Sequence, residues 1–356
     1  MSAPGVTVVV PARDAAGTIE RAVRALRAER DPAGLPARVL VVDDGSRDDT
    51  AARARTAGAE VLQGDGAGPA RARNLGLAAA STPLVVFVDS DCAPRPGFLA
   101  ALLAPFADPA VAGAKGAYET EQRALVARFV QVEYEERYAR MRRRRWIDFV
   151  DLYAAAYRRE VLLEVGGLDE RYRLPSTEDQ ELSFRVAERG HRLVFVPEAR
   201  VVHLHAATLG AYARKKARIG FYKVATLRRH PRKALDDAHT PPSLKLQVLL
   251  APLCPAAALA PLCPPAAAPA LAFAASALPL TLRALRRDPL LGAAAPALIW
   301  VRALALGAGL AAGALAELRG GVLPSPAPAG EAPVCAGQPA RLARARPGRQ
   351  GSKAQA

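Results

Sequence analysis

A run of β-branched and aromatic residues, Leu84 to Val88, is followed by two carboxylates one residue apart, Asp89 and Asp91. A strand that is covered on both faces loses the alternation of apolar and polar side chains, so the run predicts a fully buried strand. Ligands bind in the crevice outside the carboxyl ends of parallel strands. Paired carboxylates there suit Mg²⁺ or Mn²⁺ carrying a diphosphate. Acids at strand ends also form turns and helix caps, so the pair alone leaves both interpretations open.

Short apolar runs alternate with helical patterns along the first 105 residues. They predict strands at 6–10, 39–42, 60–62 and 84–88, and helices at 15–30, from 48–50 onward and at 69–80. This alternation is typical of an α/β domain whose Rossmann-like, mostly parallel sheet carries helices on both faces.

Acidic residues follow three of these four predicted strands. They are Asp14 after the first, Asp43 and Asp44 after the second, and Asp89 and Asp91 after the fourth. A parallel sheet gathers such strand ends at one edge, so we expect the acids to converge in space. Helix N-caps account for single acids at strand-to-helix turns, but not for five acids at three such turns.

Six segments in a fixed order carry a resemblance to a known family. They are 8–14, 41–50, 68–76, 86–91, 157–170 and 176–185. Together they resemble the family 2 glycosyltransferases, which have the GT-A fold, and the resemblance covers roughly residues 5–235. It implies an enzyme that transfers a sugar from a nucleoside-diphosphate sugar.

The resemblance also implies a set of nucleotide-sugar-binding residues. They are Pro11, Arg13, Asp14, Asp43, Asp44, Arg71, Asn74, Asp89 and Ser90. Asp14 and Asp44 occupy positions that contact the base and ribose, and carboxylates there can accept hydrogen bonds from a base N–H and from ribose hydroxyls. Arg71 and Asn74 occupy positions that hold the base or the diphosphate, and Arg73 would share that role. A solvated helix face is the alternative for both arginines.

Metal and catalytic positions follow from the same resemblance. Asp91, with Asp89, would ligate the divalent cation, Mg²⁺ or Mn²⁺, that neutralises the departing diphosphate. His203 is the candidate third ligand, and a structural histidine is the alternative. Asp179 matches the base that takes the proton of the attacking hydroxyl, and Glu178 would hold the loop or the acceptor. The same acids suit the first turn of a helix, which is compatible with catalysis.

The acceptor side departs from the family pattern. The segment 153–157 (Tyr-Ala-Ala-Ala-Tyr) stands where small polar residues are usual, so it gives no guide to the acceptor. The Gln-x-x-Arg-Trp motif of processive polysaccharide synthases does not follow Asp179. Its absence from the sequence favours transfer of a single sugar.

Composition limits the partners. The net charge of +15 indicates an anionic partner, and an aromatic content of 5% argues against a stacking surface for nucleic acid, so no nucleic acid is expected. The four cysteines show no metal or disulfide spacing, which fits a reducing compartment. The N-terminal residues show no signal peptide, so we expect the catalytic domain on the cytoplasmic side.

Residues 246–282 contain no charged side chain over 37 positions, and 289–318 are apolar except for Arg302 and Glu317. About 20 apolar residues span a bilayer, so two spans are expected near 246–262 and 265–282. A third span or re-entrant segment is expected at 291–316, where Gly309 and Gly313 allow close helix packing. An Ala/Pro-rich low-complexity tail is the alternative.

Between these regions lies a strongly basic segment. Residues 206–235 hold nine Lys or Arg and no acid, with apolar residues at helical spacing, so they predict an interfacial helix on anionic lipid. A solvated basic helix is the alternative. The expected organisation is therefore a GT-A domain at 1–205, the interfacial helix at 206–240, membrane helices at 241–318 and a disordered basic tail at 319–356.

The functional hypothesis is a multi-pass membrane enzyme that transfers one sugar from a UDP-sugar (or a GDP- or dTDP-sugar) to a membrane-associated acceptor hydroxyl. The resemblance implies that the anomeric configuration inverts. Such a hexosyltransferase would serve the synthesis of cell-envelope glycoconjugates or glycolipids. A nucleotidyltransferase is one alternative, although Arg13 alone is poor support for a phosphate-gripping loop. A non-enzymatic basic membrane scaffold is the other, but it gives no reason for acids at successive strand ends.

Overall fold

The computed structural model describes residues 5–234 and 237–323. Its strands are β1 (Val6–Ala12), β2 (Arg38–Asp43), β3 (Glu60–Gln63), β4 (Leu84–Val88), β5 (Cys92–Pro94), β6 (Val111–Glu119), β7 (Ala154–Arg158) and β8 (Arg192–His203). Its helices are α1 (Ile19–Ala28), α2 (Thr50–Thr56), α3 (Pro69–Ala79), α4 (Phe98–Leu103), α5 (Leu125–Met141), α6 (Arg159–Glu164), α7 (Glu178–Glu188), α8 (Leu209–Arg229), α9 (Pro242–Leu250), α10 (Ala268–Arg287) and α11 (Pro289–Leu318). The predicted tail at 319–356 lies almost wholly outside the described residues.

The eight strands form one sheet in the order β3-β2-β1-β4-β7-β6-β8-β5. Strands β1 to β4 pair in parallel, β7 runs antiparallel to β4 and β6, and β8 is parallel to β6 and antiparallel to β5. The mostly parallel α/β sheet is therefore confirmed. Because β2, β1 and β4 are neighbours, the three strand ends that carry acids meet at one edge of the sheet, as expected.

Helix α3 lies very close to the central strand β1. Gly76 allows this approach, because a Cβ at this position would overlap the side chain of Val9, which is fully buried. Arg73 and Asn74 precede Gly76 by two or three residues, and both are buried. The missing side chain of Gly76 therefore helps to bring two functional candidates to the carboxyl edge of the sheet.

A second apolar core joins the catalytic domain to the C-terminal helices. It contains Phe129 and Val132 of α5, Tyr212 of α8, and buried faces of α10 and α11. The described C-terminal region has three stretches that are long and apolar enough to cross a membrane: Pro242–Leu259, Pro264–Arg287 and Pro289–Leu318. The first of these consists of α9 and a 3₁₀ segment, Ala251–Leu259.

The predicted interfacial helix corresponds to α8, and part of its surface packs against α11. Gly220 of α8 lies against the backbone of Leu306 in α11, and Gly309 and Gly313 lie against α8 carbonyl oxygens, with no room for a Cβ. The two glycines predicted to allow close helix packing do so, with α8 as the partner.

A buried polar network crosses this second core. Glu133 of α5 accepts hydrogen bonds from Lys216 Nζ at 2.9 Å, Tyr212 Oη at 3.1 Å and Arg302 Nη1 at 2.8 Å. Burial acts to raise the pKa of Glu133, but Lys216 and Arg302 outweigh it and bring the pKa to about 2. Arg302 also donates to Gln247 Oε1 at 2.7 Å. The network thus ties α5, α8, α9 and α11 together.

We predict that Arg302→Leu lowers the free energy of unfolding by about 3 kcal/mol, because it leaves a buried carboxylate short of one of its two cations. Urea unfolding of the detergent-solubilised full chain measures the loss. Arg286→Leu is the matched control, because it removes the same charge from the exposed surface of α10. Equal stability of the two variants would contradict the prediction.

Candidate active site

The first part of the site is the edge formed by β1 and β2. Asp44 is buried, its Oδ2 accepts a hydrogen bond from Gly68 N at 2.9 Å, and Arg13 Nη1 lies 3.9 Å from the same oxygen. Burial raises the pKa of Asp44. Its Oδ1 is buried and has no hydrogen-bond partner among the described residues. An unpartnered buried oxygen of this kind is suited to accept a hydrogen bond from a ligand.

The loops after β1 and β2 hold each other in place. Asp14 adopts a left-handed backbone conformation, with φ of 48°, and its Oδ1 accepts a hydrogen bond from Arg47 N at 2.8 Å. Asp14 N donates to Ser46 Oγ, while Ser46 N donates to Asp43 Oδ1 at 3.1 Å. Asp43 is therefore used to shape the loop. Pro11, at the end of β1, is half-exposed at this edge.

Arg73 connects the two halves of the site. Its guanidinium is buried and donates to Asp89 Oδ1 at 2.6 Å and to Glu178 Oε1 at 3.5 Å. The alternative of a solvated helix face is therefore wrong for Arg73. Its position between two carboxylates fixes Asp89, at the end of β4, relative to the start of α7.

Two neighbouring candidates on α3 make contacts within the protein. Arg71 pairs with Asp65 at 2.6 Å and with Glu170 at 2.9 Å. Asn74 is fully buried, and its amide exchanges hydrogen bonds with the backbone of Leu168, at 2.9 Å in each direction. The structure therefore gives Asn74 a supporting role, because its side chain clamps the 168–170 segment. The predicted nucleotide contacts of both residues stay predictions.

Asp91 and His203 form the metal-binding candidate. His203 Nε2 lies 3.4 Å from Asp91 Oδ2, and ligand atoms of Asp91, Cys92 and His203 all lie within 4.8 Å of one another. Burial acts to raise the pKa of Asp91, but the hydrogen bond and charge of His203 lower it overall. Burial raises the pKa of the Cys92 thiol, so this sulfur stays protonated and is a poor ligand for a hard cation. A carboxylate and an imidazole fit Mn²⁺ well.

Asp89, the other predicted ligand, is not part of this cluster, because its carboxylate pairs with Arg73. Ser90 lies half-buried in the turn between the two acids. The structure thus groups Asp91 with His203 and groups Asp89 with Arg73 and Glu178. Ligation of a metal by Asp89 remains a prediction.

His203 is held in place by a second histidine. Its Nδ1 is 3.0 Å from Nδ1 of His205, whose Nε2 lies 3.1 Å from Gln131 Oε1. Burial lowers the pKa of His205 to about 2, with the charge of His203 as the next cause, so His205 is neutral. The Tyr118 ring stacks on His203 with centroids 4.1 Å apart. These contacts fix the imidazole with Nε2 towards Asp91.

Asp179 lies in the first turn of α7, beside Glu178. Burial raises the pKa of Asp179 to about 7, and the neighbouring charge of Glu178 acts in the same direction. Gln180 N donates to Asp179 Oδ1 at 2.7 Å, which orients the carboxyl group. A carboxylate whose pKa is close to neutral is well matched to general base catalysis.

Lys115 of β6 is a residue that sequence reasoning missed. Its ammonium is fully buried, forms an ion pair with Asp151 and lies 3.3 Å from Tyr153 Oη. Burial lowers the pKa of Lys115 strongly, and the charge of Asp179 opposes that shift. A lone lysine inside the run 111–119 was the only signal in the sequence, because the pairing with Asp151 depends on the fold.

Comparison with known proteins agrees with this geometry. A family model described as "Glycosyltransferase like family 2" matches residues 4–221. A mannosyltransferase from Pyrobaculum calidifontis, solved in complex with GDP-Man and Mn²⁺, has 24% sequence identity and a TM-score of 0.56, over 88% of this chain and 87% of that chain. The fold is thus that of the GT-A glycosyltransferases.

Two relatives from Mycobacterium tuberculosis agree with the family match. A pre-mycofactocin glycosyltransferase is 36% identical over 238 residues, which are 64% of this chain and 48% of that protein. An uncharacterized glycosyltransferase is 33% identical over 196 residues, or 54% of this chain and 84% of that protein. This chain therefore spans about half the length of the first relative. It belongs to glycosyltransferase family 2.

We predict that His203→Gln lowers the affinity for Mn²⁺ roughly 10–100-fold. Loss of a residue that only hydrogen-bonds to a metal ligand already has an effect of this size. Titration of the full chain with Mn²⁺, followed by the electron paramagnetic resonance signal of the free ion, measures the change. His191→Gln is the matched control, since His191 pairs with Glu164 away from this cluster. Unchanged affinity in His203→Gln would exclude this histidine as a ligand.

Proposed function

We propose that the protein transfers a single sugar from a nucleoside-diphosphate sugar to an acceptor hydroxyl. The observation that carries the proposal is that Arg73 joins Asp89, at the acidic strand ends, to Glu178, the neighbour of Asp179. The family match supports the reaction class. The nucleotidyltransferase and scaffold alternatives gain no support. Neither needs a base with a pKa near 7 beside the strand ends that we propose to bind the nucleotide.

Each part of the site has a chemical task in this proposal. Asp44 accepts a hydrogen bond from the base or the ribose through its unpartnered Oδ1. Asp91 and His203 would hold Mg²⁺ or Mn²⁺, which supplies charge neutralisation for the departing diphosphate. Ionised Asp179 takes the proton of the acceptor hydroxyl as this oxygen bonds to the anomeric carbon and the sugar–phosphate bond breaks. In-line attack of this kind inverts the configuration.

Arg73 and Lys115 place the base for this step. Arg73 pairs with Glu178, the neighbour of Asp179. Lys115, in its buried pair with Asp151, is close enough for its charge to act on Asp179. Both cations lower the pKa of Asp179 and so limit the rise caused by burial and by Glu178. The balance leaves a base that is partly ionised at neutral pH and still strong enough to accept a proton.

For the donor we propose a UDP-hexose first, with GDP- and dTDP-sugars as the other candidates. For the acceptor we propose a lipid or other membrane-associated hydroxyl compound of the cell envelope. The three apolar C-terminal stretches support attachment to the membrane. The basic helix α8 supports contact with an anionic surface, with the catalytic domain on the cytoplasmic side.

We predict that Asp179→Asn lowers the transfer rate roughly 10²–10⁴-fold, because the amide cannot take the proton, while nucleotide binding is retained. Calorimetric titration with UDP and GDP, with and without Mn²⁺, gives the binding, and release of nucleoside diphosphate in the presence of membrane extract gives the rate. Asp108→Asn, at an exposed carboxylate near α4, is the control. If the folded wild-type chain binds neither nucleotide, the proposed function fails.

We also predict an acid limb in the pH profile of kcat/KM near pH 7, where the rate falls about tenfold for each further pH unit as Asp179 becomes protonated. Glu178→Gln removes a charge that raises this pKa, so the limb should move to lower pH. Measurement between pH 5 and 9 in buffers of constant ionic strength tests both statements. A limb that stays in place in Glu178→Gln would contradict the assignment of the base.

A further inference from the structure

Helix α11 is attached to α5 at its N-terminal end and to α8 at its C-terminal end. At the N-terminal end, Arg128 of α5 pairs with Asp288 at 2.9 Å. At the C-terminal end, Arg228 of α8 pairs with Glu317. Midway along the helix, Arg302 is buried against Glu133 of α5. Helix α11 has 30 residues and is about 45 Å long, and its contacts with α5 and α8 extend from one end to the other.

The helix that covers the C-terminal half of α11 is strongly cationic. Gly220 of α8 meets α11 with no side chain between the two backbones, and Gly309 and Gly313 meet α8 in the same way. Residues 209–229 of α8 carry seven Lys or Arg and no acid: Arg214, Lys215, Lys216, Arg218, Lys223, Arg228 and Arg229. If α11 crossed a bilayer, α8 would enter the hydrocarbon with it, at a cost of several kcal/mol for each charge.

The other two apolar stretches pack together beside Arg302. Gln247 of α9 accepts a hydrogen bond from Arg302 and donates one to the carbonyl oxygen of Ser276 in α10, at 3.0 Å. Phe273 and Ala277 of α10 are buried in the same core as Phe129 of α5. The three helical stretches therefore form a layer against the flank of the catalytic domain.

The outer surface of this layer is apolar. Only 17% of each of the first two stretches is buried, compared with 39% of the third. Large side chains exposed on the first two stretches and the turns beside them are Leu246, Leu249, Leu253, Leu259, Leu262, Leu271, Leu278, Leu282 and Leu285. No charge interrupts 246–282, and exposed Arg283 and Arg286 follow directly. An apolar face bordered by exposed cations matches the acyl and headgroup regions of one leaflet that contains anionic lipid.

We propose that residues 242–287 lie in the plane of one leaflet and that no helix of this layer crosses the bilayer. The occupant of the exposed leucine face is lipid, to a depth of about 5–10 Å. Helix α11 lies between this face and the catalytic domain, where Arg302 finds Glu133 instead of hydrocarbon. The sequence predicts membrane spans here because these helices are long and apolar. In this proposal the apolar residues serve two other purposes: α11 is buried against the protein, and the exposed leucine face contacts lipid.

The depth of three labels along α10 tests the proposal. Leu271, Leu278 and Leu285 are spaced by seven residues, so they share one face, and all three are exposed. A nitroxide is attached to Leu271→Cys, Leu278→Cys or Leu285→Cys in the full chain, reconstituted in phosphatidylcholine and phosphatidylglycerol vesicles. Cys254, Cys263 and Cys335 are replaced by alanine, and the fully buried Cys92 is kept. Power saturation with oxygen and a water-soluble nickel complex gives each depth.

An in-plane helix places the three labels within about 5 Å of one depth. A spanning helix separates the first and last labels by about 21 Å along the bilayer normal, with Leu278→Cys deepest. Equal, shallow depths support the proposal, and a central maximum overturns it. Labels that meet neither lipid nor oxygen would show that protein covers this face, which also overturns it. Arg214→Cys, exposed on α8, is the control for a site outside the hydrocarbon.

These outcomes are independent of the sugar donor. A chain that binds no nucleotide would still report the depth of α10, and a spanning α10 would leave the assignment of Asp179 untouched. Thermal unfolding of each cysteine variant, compared with the wild-type chain, confirms that the labelled protein is folded.

Discussion

The ion pairs of Arg73 hold the two halves of the active site together. One guanidinium contacts Asp89 at the end of β4 and Glu178 at the start of α7. A cation that is buried to this extent is stable only between carboxylates. Burial raises the pKa of Glu178, and the charge of Arg73 limits this rise. The proposed nucleotide-binding edge and the proposed catalytic base are therefore parts of a single electrostatic unit. This arrangement depends on Gly76, because a side chain at that position would prevent the close approach of α3 to β1.

Much of the fold could be predicted from local pattern. The four N-terminal strands were predicted to within two residues, because fully buried strands produce unbroken apolar runs between turn residues. The convergence of Asp44, Asp89 and Asp91 followed from the rule for parallel strand ends. The pairing of Asp91 with His203 depended on the resemblance to a family, because these residues are far apart in sequence and only the pairing of β5 with β8 brings them together.

What the sequence did not reveal depends on contacts between distant segments. Lys115 has no local pattern that marks it, since its partner Asp151 is 36 positions away and lies before β7. Asn74 belongs to a motif whose resemblance points to the nucleotide, yet its amide is used to hold Leu168. Arg302 was noted only as a break in an apolar run. Its meaning depends on Glu133, 169 positions earlier, which no periodicity can connect to it.

The shared core of α5, α8, α10 and α11 also means that the N-terminal domain and the C-terminal helices cannot be separated without exposing apolar surface. The sequence suggests a boundary at 205/206, but the structure places Phe129 and Glu133 of α5, which precede this boundary, inside the C-terminal core. A shortened chain that ends near residue 240 would expose this aromatic surface and remove one of the two cations that neutralise Glu133. The packed unit that contains the candidate active site therefore extends to the end of α11.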